Sequence, residues 1–133
     1  MKSTLLFCLL FAASLFWGCE KDSPANLLVN SPECRIVNKL ELVQDSVFHF
    51  SKIKVRVQNT GEGPTAYNIG CYIKLKQGDF IVDQNGCGFG TLREGESVEY
   101  SVYFSKAKSS NDYSYMEVKL YWYDAQNKYY NNQ

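Results

Sequence analysis

Any chemistry in this chain must come from a short list of side chains. It has one histidine, His49, and five cysteines: Cys8, Cys19, Cys34, Cys71 and Cys87. Hydrolases built on a general base or a metal-bound water need a partner for that histidine, and neither G-x-S-x-G nor H-E-x-x-H is present. Cys34, Cys71 and Cys87 are spaced 37 and 16 residues apart without a C-x-x-C, which is not zinc-ligand spacing. Paired carboxylates would suit glycoside hydrolysis. Asp45, Asp79, Asp83 and Asp124, however, fall where strands are expected to end, and turn-making accounts for them. Gly86-Cys87-Gly88-Phe89-Gly90 is followed by no Lys-Ser or Lys-Thr and opens no helix, so it is not a phosphate loop. His49, within Val47-Phe48-His49-Phe50, reads as a polar edge residue among core aromatics. These residues predict no catalytic site, no metal and no cofactor.

The remaining reactive position is Cys19. Met1-Lys2 precedes an uncharged apolar run, Leu5 to Trp17. At about 13 residues the run fits a signal-peptide core and is short for a membrane span of roughly 20. It ends in Leu15-Phe16-Trp17-Gly18-Cys19, which resembles the lipobox of bacterial lipoproteins, with bulkier residues at 16 and 17 than that motif commonly carries. The resemblance implies cleavage before Cys19 and lipidation of its thiol and new amino group. Three acyl chains hold stably where one holds weakly, at about 0.8 kcal/mol per buried methylene. Composition then turns polar: Glu20-Lys21-Asp22-Ser23-Pro24-Ala25-Asn26 reads as a tether. Glu20 and Asp22 also resemble the acidic export signals of Bacteroidetes lipoproteins, which implies an outer-membrane lipoprotein facing the cell surface; a solvated linker is equally rich in such residues and leaves the periplasmic side open. The expected organisation is a signal peptide at 1–18, a lipidated cysteine and tether at 19–33, and one domain at 34–133.

The elements that position everything else are strands. With 14 basic and 14 acidic residues the net charge is zero, which does not suggest nucleic acid or an electrostatic membrane patch. Ten Tyr and eight Phe are many for this length and favour strands. Cys34 to Val43 predicts a first strand, which Val47–Phe50 extends or follows. Ile53, Val55 and Val57 alternate with Lys54, Arg56 and Gln58, and turn residues 59–64 follow. Tyr67, Ile69, Cys71, Ile73 and Leu75 give the clearest alternation. Short strands are then predicted at 80–82 and 88–92, split by a turn at 83–86. Val98–Phe104, Tyr115–Tyr123 and Lys128–Tyr130 complete about seven strands of an all-β, two-sheet antiparallel sandwich. The expected core is Ile53, Val55, Val57, Ile69, Ile73, Leu75, Val98, Val102, Phe104, Val118, Leu120 and Trp122.

From Ile53 onward the text resembles the bacterial immunoglobulin-like domains called cell-adhesion-related, or CARDB-like, domains. The matching pieces are Val57-Gln58-Asn59-Thr60-Gly61, Ala66-Tyr67-Asn68-Ile69, Leu92-Arg93-Glu94-Gly95-Glu96-Ser97 and Leu120-Tyr121-Trp122-Tyr123-Asp124. The resemblance spans about 75 residues and implies an immunoglobulin-like sandwich without catalytic residues. Cys71, Cys87 and the tyrosine-rich C-terminal part depart from that pattern. Gly61 and Gly95 are expected to supply φ > 0 in turns.

Two further expectations follow. Outside the cytoplasm a cysteine pair oxidises, and three cysteines leave one over. Cys71–Cys87 is the preferred pair, with Cys34–Cys87, another pairing or none as the alternatives. A turn at Gln77-Gly78 would put Cys71 opposite Gln84, three residues from Cys87, and the glycines at 86 and 88 allow a bulge to make up the difference. Alternation also turns Tyr72, Tyr115, Tyr121 and Tyr123 outward together, a candidate binding face for protein or glycan. Cross-strand tyrosines equally stabilise a sheet with no ligand. The sequence thus points to a membrane-anchored, non-enzymatic binding or adhesion module, or to an accessory envelope lipoprotein without a ligand.

Overall fold

The computed structural model describes residues 30–132, so the expected signal peptide, Cys19 and most of the expected tether lie outside the described residues. The described residues form eight strands: β1 (Cys34–Ile36), β2 (Leu42–Gln44), β3 (Ser51–Asn59), β4 (Ala66–Gln77), β5 (Phe80–Leu92), β6 (Ser97–Phe104), β7 (Tyr115–Tyr123) and β8 (Tyr129–Asn131). The described residues hold no α-helix, only a turn of 3-10 helix at Ser110–Asp112. In one sheet β3 pairs with β6 on one side and with both β1 and β2 on the other; the second sheet runs β5-β4-β7-β8. Every pairing is antiparallel. The fold is an all-β, immunoglobulin-like sandwich, as the alternation predicts.

The period-two alternation explains the core directly. Ile53, Val55 and Val57 of β3 are fully buried while Lys54 and Arg56 face solvent. They meet Val102 and Phe104 from β6, Ile69, Cys71, Ile73 and Leu75 from β4, and Leu120 and Trp122 from β7. Val98 and Val118 reach the core only from its margin. Val98 lies near the start of an edge strand, and β8 covers β7 only at Tyr121–Tyr123, leaving Val118 beside an uncovered edge. The core also takes Cys34, Ala66, Phe89, Leu92 and Ala107, which the alternation alone did not mark.

Four local expectations are corrected. The first strand is two strands, because Asn38 interrupts it with its side chain. The Asn38 amide donates to the Lys54 carbonyl at 2.9 Å and its oxygen accepts from Arg56 N–H at 2.7 Å, taking a ladder position on β3. The predicted turn at 83–86 is strand: β5 runs unbroken for 13 residues. There Asp83 is buried, and its carboxylate accepts from the Lys106 and Ala107 N–H groups at 2.6 and 3.2 Å, while Asn85 donates to the Tyr103 carbonyl at 2.7 Å. These turn-forming side chains are spent on cross-links to the end of β6 and the loop after it. Val47–Phe50 is not core but a tight reversal. Asp45 accepts from the Val47 and Phe48 N–H groups, His49 adopts φ 56°, and Val47, Phe48 and Phe50 remain exposed. Gly61, finally, does not take positive φ. A Cβ there would stand 2.6 Å from Glu33 N and 2.9 Å from Ser31 O, so its smallness admits the segment entering the domain. That segment is also held by Trp122, whose indole N–H donates to the Pro32 carbonyl at 2.8 Å.

Candidate ligand-binding face

The outer face of the β5-β4-β7-β8 sheet is where alternation sends the tyrosines. In β4, burial of Ile69, Cys71, Ile73 and Leu75 forces Tyr72, Lys74 and Lys76 outward; in β7, burial of Leu120 and Trp122 does the same for Lys119, Tyr121 and Tyr123. Register then fixes neighbours. Tyr72 lies between Gly86 on β5 and Lys119 on β7. Gly70 lies between Gly88 and Tyr121.

Those glycines make a floor. A Cβ on Gly70 would collide with the ring and hydroxyl of Tyr121, and one on Gly86 would sit 3.1 Å from the Tyr72 ring. Nothing lies closer than 4.0 Å to the corresponding point on Gly88. The Tyr121 ring therefore lies over Gly70 and the Tyr72 ring beside Gly86, while the Gly88 backbone stays free of a covering side chain. Tyr129 joins them from β8: it stacks on Tyr121 with centroids 6.2 Å apart and meets Tyr123 edge-on at 5.5 Å, with the Lys119 ammonium 5.8 Å from its ring. Tyr67 is paired opposite Tyr123.

Tyr115 is on the same face but apart from this group. Between them stands an ion network, with Lys74 and Lys76 on Glu117 at 2.9 and 3.1 Å, and Lys76 also lies 5.3 Å from the Tyr115 ring. Both lysines, Lys74 first, hold the Glu117 carboxyl below its ordinary range. The shelf is thus Tyr72, Tyr121, Tyr123 and Tyr129 rather than the expected quartet containing Tyr115. The pairing of Tyr129 with Tyr123 decides its place, and that depends on how the turn at 124–128 closes. Asp124 sets that turn by accepting from the Gln126 and Lys128 N–H groups at 2.9 Å, and it also accepts from the Tyr130 hydroxyl at 3.0 Å.

The cysteines are sorted by the same register. Cys71 and Cys87 are directly opposite each other on β4 and β5, both on the inner side, while Cys34 pairs with Asn59 in the other sheet. Burial pushes the Cys71 thiol up to about 12, with Cys87 adding to it, and Cys87 up to about 11. Burial likewise raises Cys34 to about 12. The two-residue hairpin turn is Gly78-Asp79, one position later than expected, which moves the partner of Cys71 by two residues; a bulge between Leu75 and Lys76 adds the third.

His49 is exposed at the tip of the β2–β3 reversal, and its carbonyl accepts from the Lys108 ammonium at 2.9 Å. Among the described residues no group of three His, Cys, Asp or Glu side chains is placed to hold a metal ion. No protein-family model matches the chain, and comparison with curated proteins finds no match.

Proposed function

We propose that this chain is an exported bacterial lipoprotein, anchored in the outer membrane through Cys19, whose sandwich domain is a non-enzymatic binding module for a protein or glycan. One observation carries the binding reading. Four tyrosines, Tyr72, Tyr121, Tyr123 and Tyr129, gather with Lys119 beside a run of glycines on one open sheet face. Tyrosine offers large apolar area and a hydroxyl at little entropic cost, which suits protein contacts and sugar stacking. The exposed backbone at Gly88, free of a covering side chain, lets a flat partner approach closely. The lipobox-like Gly18-Cys19 and the polar tether support the anchor, and the resemblance to CARDB-like domains bears on the fold, which hosts many functions.

A second reading, an accessory envelope lipoprotein with no ligand of its own, is favoured by the mutual packing of the rings. Tyr129 spends its faces on Tyr121 and Lys119 rather than presenting them to solvent. The two readings separate by experiment. A glycan array and cross-linking on intact cells are run with the native chain, with Tyr72→Ala plus Tyr121→Ala, and with Tyr115→Ala as a folded control. Binding lost only in the double variant supports the shelf; binding equal in all three overturns it. For the anchor, Cys19→Ala should abolish incorporation of labelled palmitate, and normal labelling would overturn lipidation at that residue.

A further inference from the structure

We propose that Cys71 and Cys87 form a cross-strand disulfide that fastens the edge strand β5 to β4 directly behind the tyrosine shelf. The register places the two residues opposite each other without an intervening bulge. Opposed residues of an antiparallel pair have Cα atoms about 4.5–5.5 Å apart, inside the roughly 4.4–6.8 Å that a disulfide spans. Both side chains project to the same side, since Cys71 is buried and Cys87 packs against the same core. Cys34, in the opposite sheet, is not in this pairing.

The location gives the bond its purpose. Among the described residues β5 ends the second sheet, with β4 its only ladder partner there. It carries three glycines, Gly86, Gly88 and Gly90, which weaken a strand because they cost backbone entropy and pack no side chain. The next pairs on either side of the bond are Tyr72 with Gly86 and Gly70 with Gly88, the floor of the shelf. A covalent link at this rung holds that floor in register.

The oxidant is a disulfide-bearing donor acting by thiol–disulfide exchange. The more exposed Cys87 gives up its proton and its thiolate attacks one donor sulfur, breaking the donor S–S bond and releasing one donor thiolate. Cys71 then loses its proton and attacks the Cys87 sulfur of the mixed disulfide, releasing the second donor thiolate. Two protein thiols become one disulfide, the donor disulfide becomes two thiols, and the two protons end on the donor.

The test uses the full chain, purified in detergent under reducing conditions and then equilibrated with oxidised glutathione. Remaining thiols are blocked with N-ethylmaleimide, and the unreduced protein is digested with trypsin, which cuts between the two cysteines at Lys74 and Lys76. Mass spectrometry should find the Cys71 peptide joined to the Cys87 peptide with Cys34 alkylated. Recovery of Cys71 and Cys87 as separate alkylated or glutathionylated peptides, or of Cys87 joined to Cys34, overturns the pairing. Oxidation should also lower the unfolding equilibrium constant roughly hundred-fold, the expectation for closing a loop of this length. Identical urea midpoints for the oxidised and reduced chain overturn the fastening role. Neither readout depends on whether the shelf has a ligand.

Discussion

Asp83 is the residue whose removal separates a strand-embedded cross-link from a solvated turn. One carboxylate oxygen accepts from Lys106 N–H at 2.6 Å and Ala107 N–H at 3.2 Å, and the other from Gln84 N–H at 2.9 Å. The residue is 8% exposed and Ala107 is fully buried. In Asp83→Ala the part-buried N–H of the exposed residue Lys106 can turn to water, but the Ala107 N–H is left buried without a partner, at about 1–3 kcal/mol. Losing a charge-assisted bond to Lys106 adds about 1 kcal/mol after rehydration, so the expected destabilisation is about 2–4 kcal/mol. Asp83→Asn keeps one oxygen for the two long-range bonds and turns its amide toward Gln84, so it should cost only about 1–2 kcal/mol. Urea unfolding of both variants gives the comparison, and hydrogen exchange should speed at Ala107 in the alanine variant. A loss under about 1 kcal/mol for Asp83→Ala, or an asparagine variant no better than alanine, would refute the reasoning.

Trp122 stacks on Tyr130 at 6.1 Å and donates to Pro32, so Trp122→Ala should cost about 3–5 kcal/mol, and Trp122→Phe about 1–2 kcal/mol for the lost hydrogen bond. A Trp122→Phe variant as stable as the native chain in urea melts would show that the indole N–H contributes nothing. Acid should destabilise the domain. Asp45 is held low by Lys52, Glu117 by Lys74 and Lys76, Asp112 by the Lys108 N–H and Asp124 by the Lys128 N–H. Folded values below the ordinary 3.8 for Asp and 4.5 for Glu mean that this stability is full above those values and is lost as pH falls through the lower folded ones. A melting temperature flat from neutral pH down through the carboxylate range contradicts it. Gly61→Ala should displace Ser31–Glu33, seen as faster exchange of the Trp122 indole and Thr60 N–H protons; unchanged exchange would mean that the segment is not held by close approach.

The sequence alone carried the sandwich and most of its core, because one-sided burial writes a period-two signal into β3, β4, β6 and β7. It also carried the outward direction of Tyr72, Tyr121 and Tyr123, since each inward neighbour in a strand implies its opposite. Local chemistry was legible where it acts locally: Asn59 accepts from Gly61 N–H at 3.1 Å, the bond its type predicts two residues on. Its amide also donates to Pro64 and Leu92 carbonyls, and the second of those joins residues far apart in the chain.

Tertiary structure decided what depends on partners distant in sequence. Asp83 and Asn85 read as turn formers because their side chains commonly bond nearby backbone, yet here they bridge to the loop after β6 and to Tyr103 near the end of β6, and the strand runs through them. Which tyrosine joins the shelf was set by pairing between strands: Tyr129 enters opposite Tyr123, and Tyr115 is set apart by Glu117 meeting lysines from β4. The Cys71–Cys87 rung was within reach of the sequence but not fixed by it. A hairpin's register is the sum of its turn and its bulges, one step in the turn moves the partner by two residues, and only the packed sheet determines where the extra residue goes.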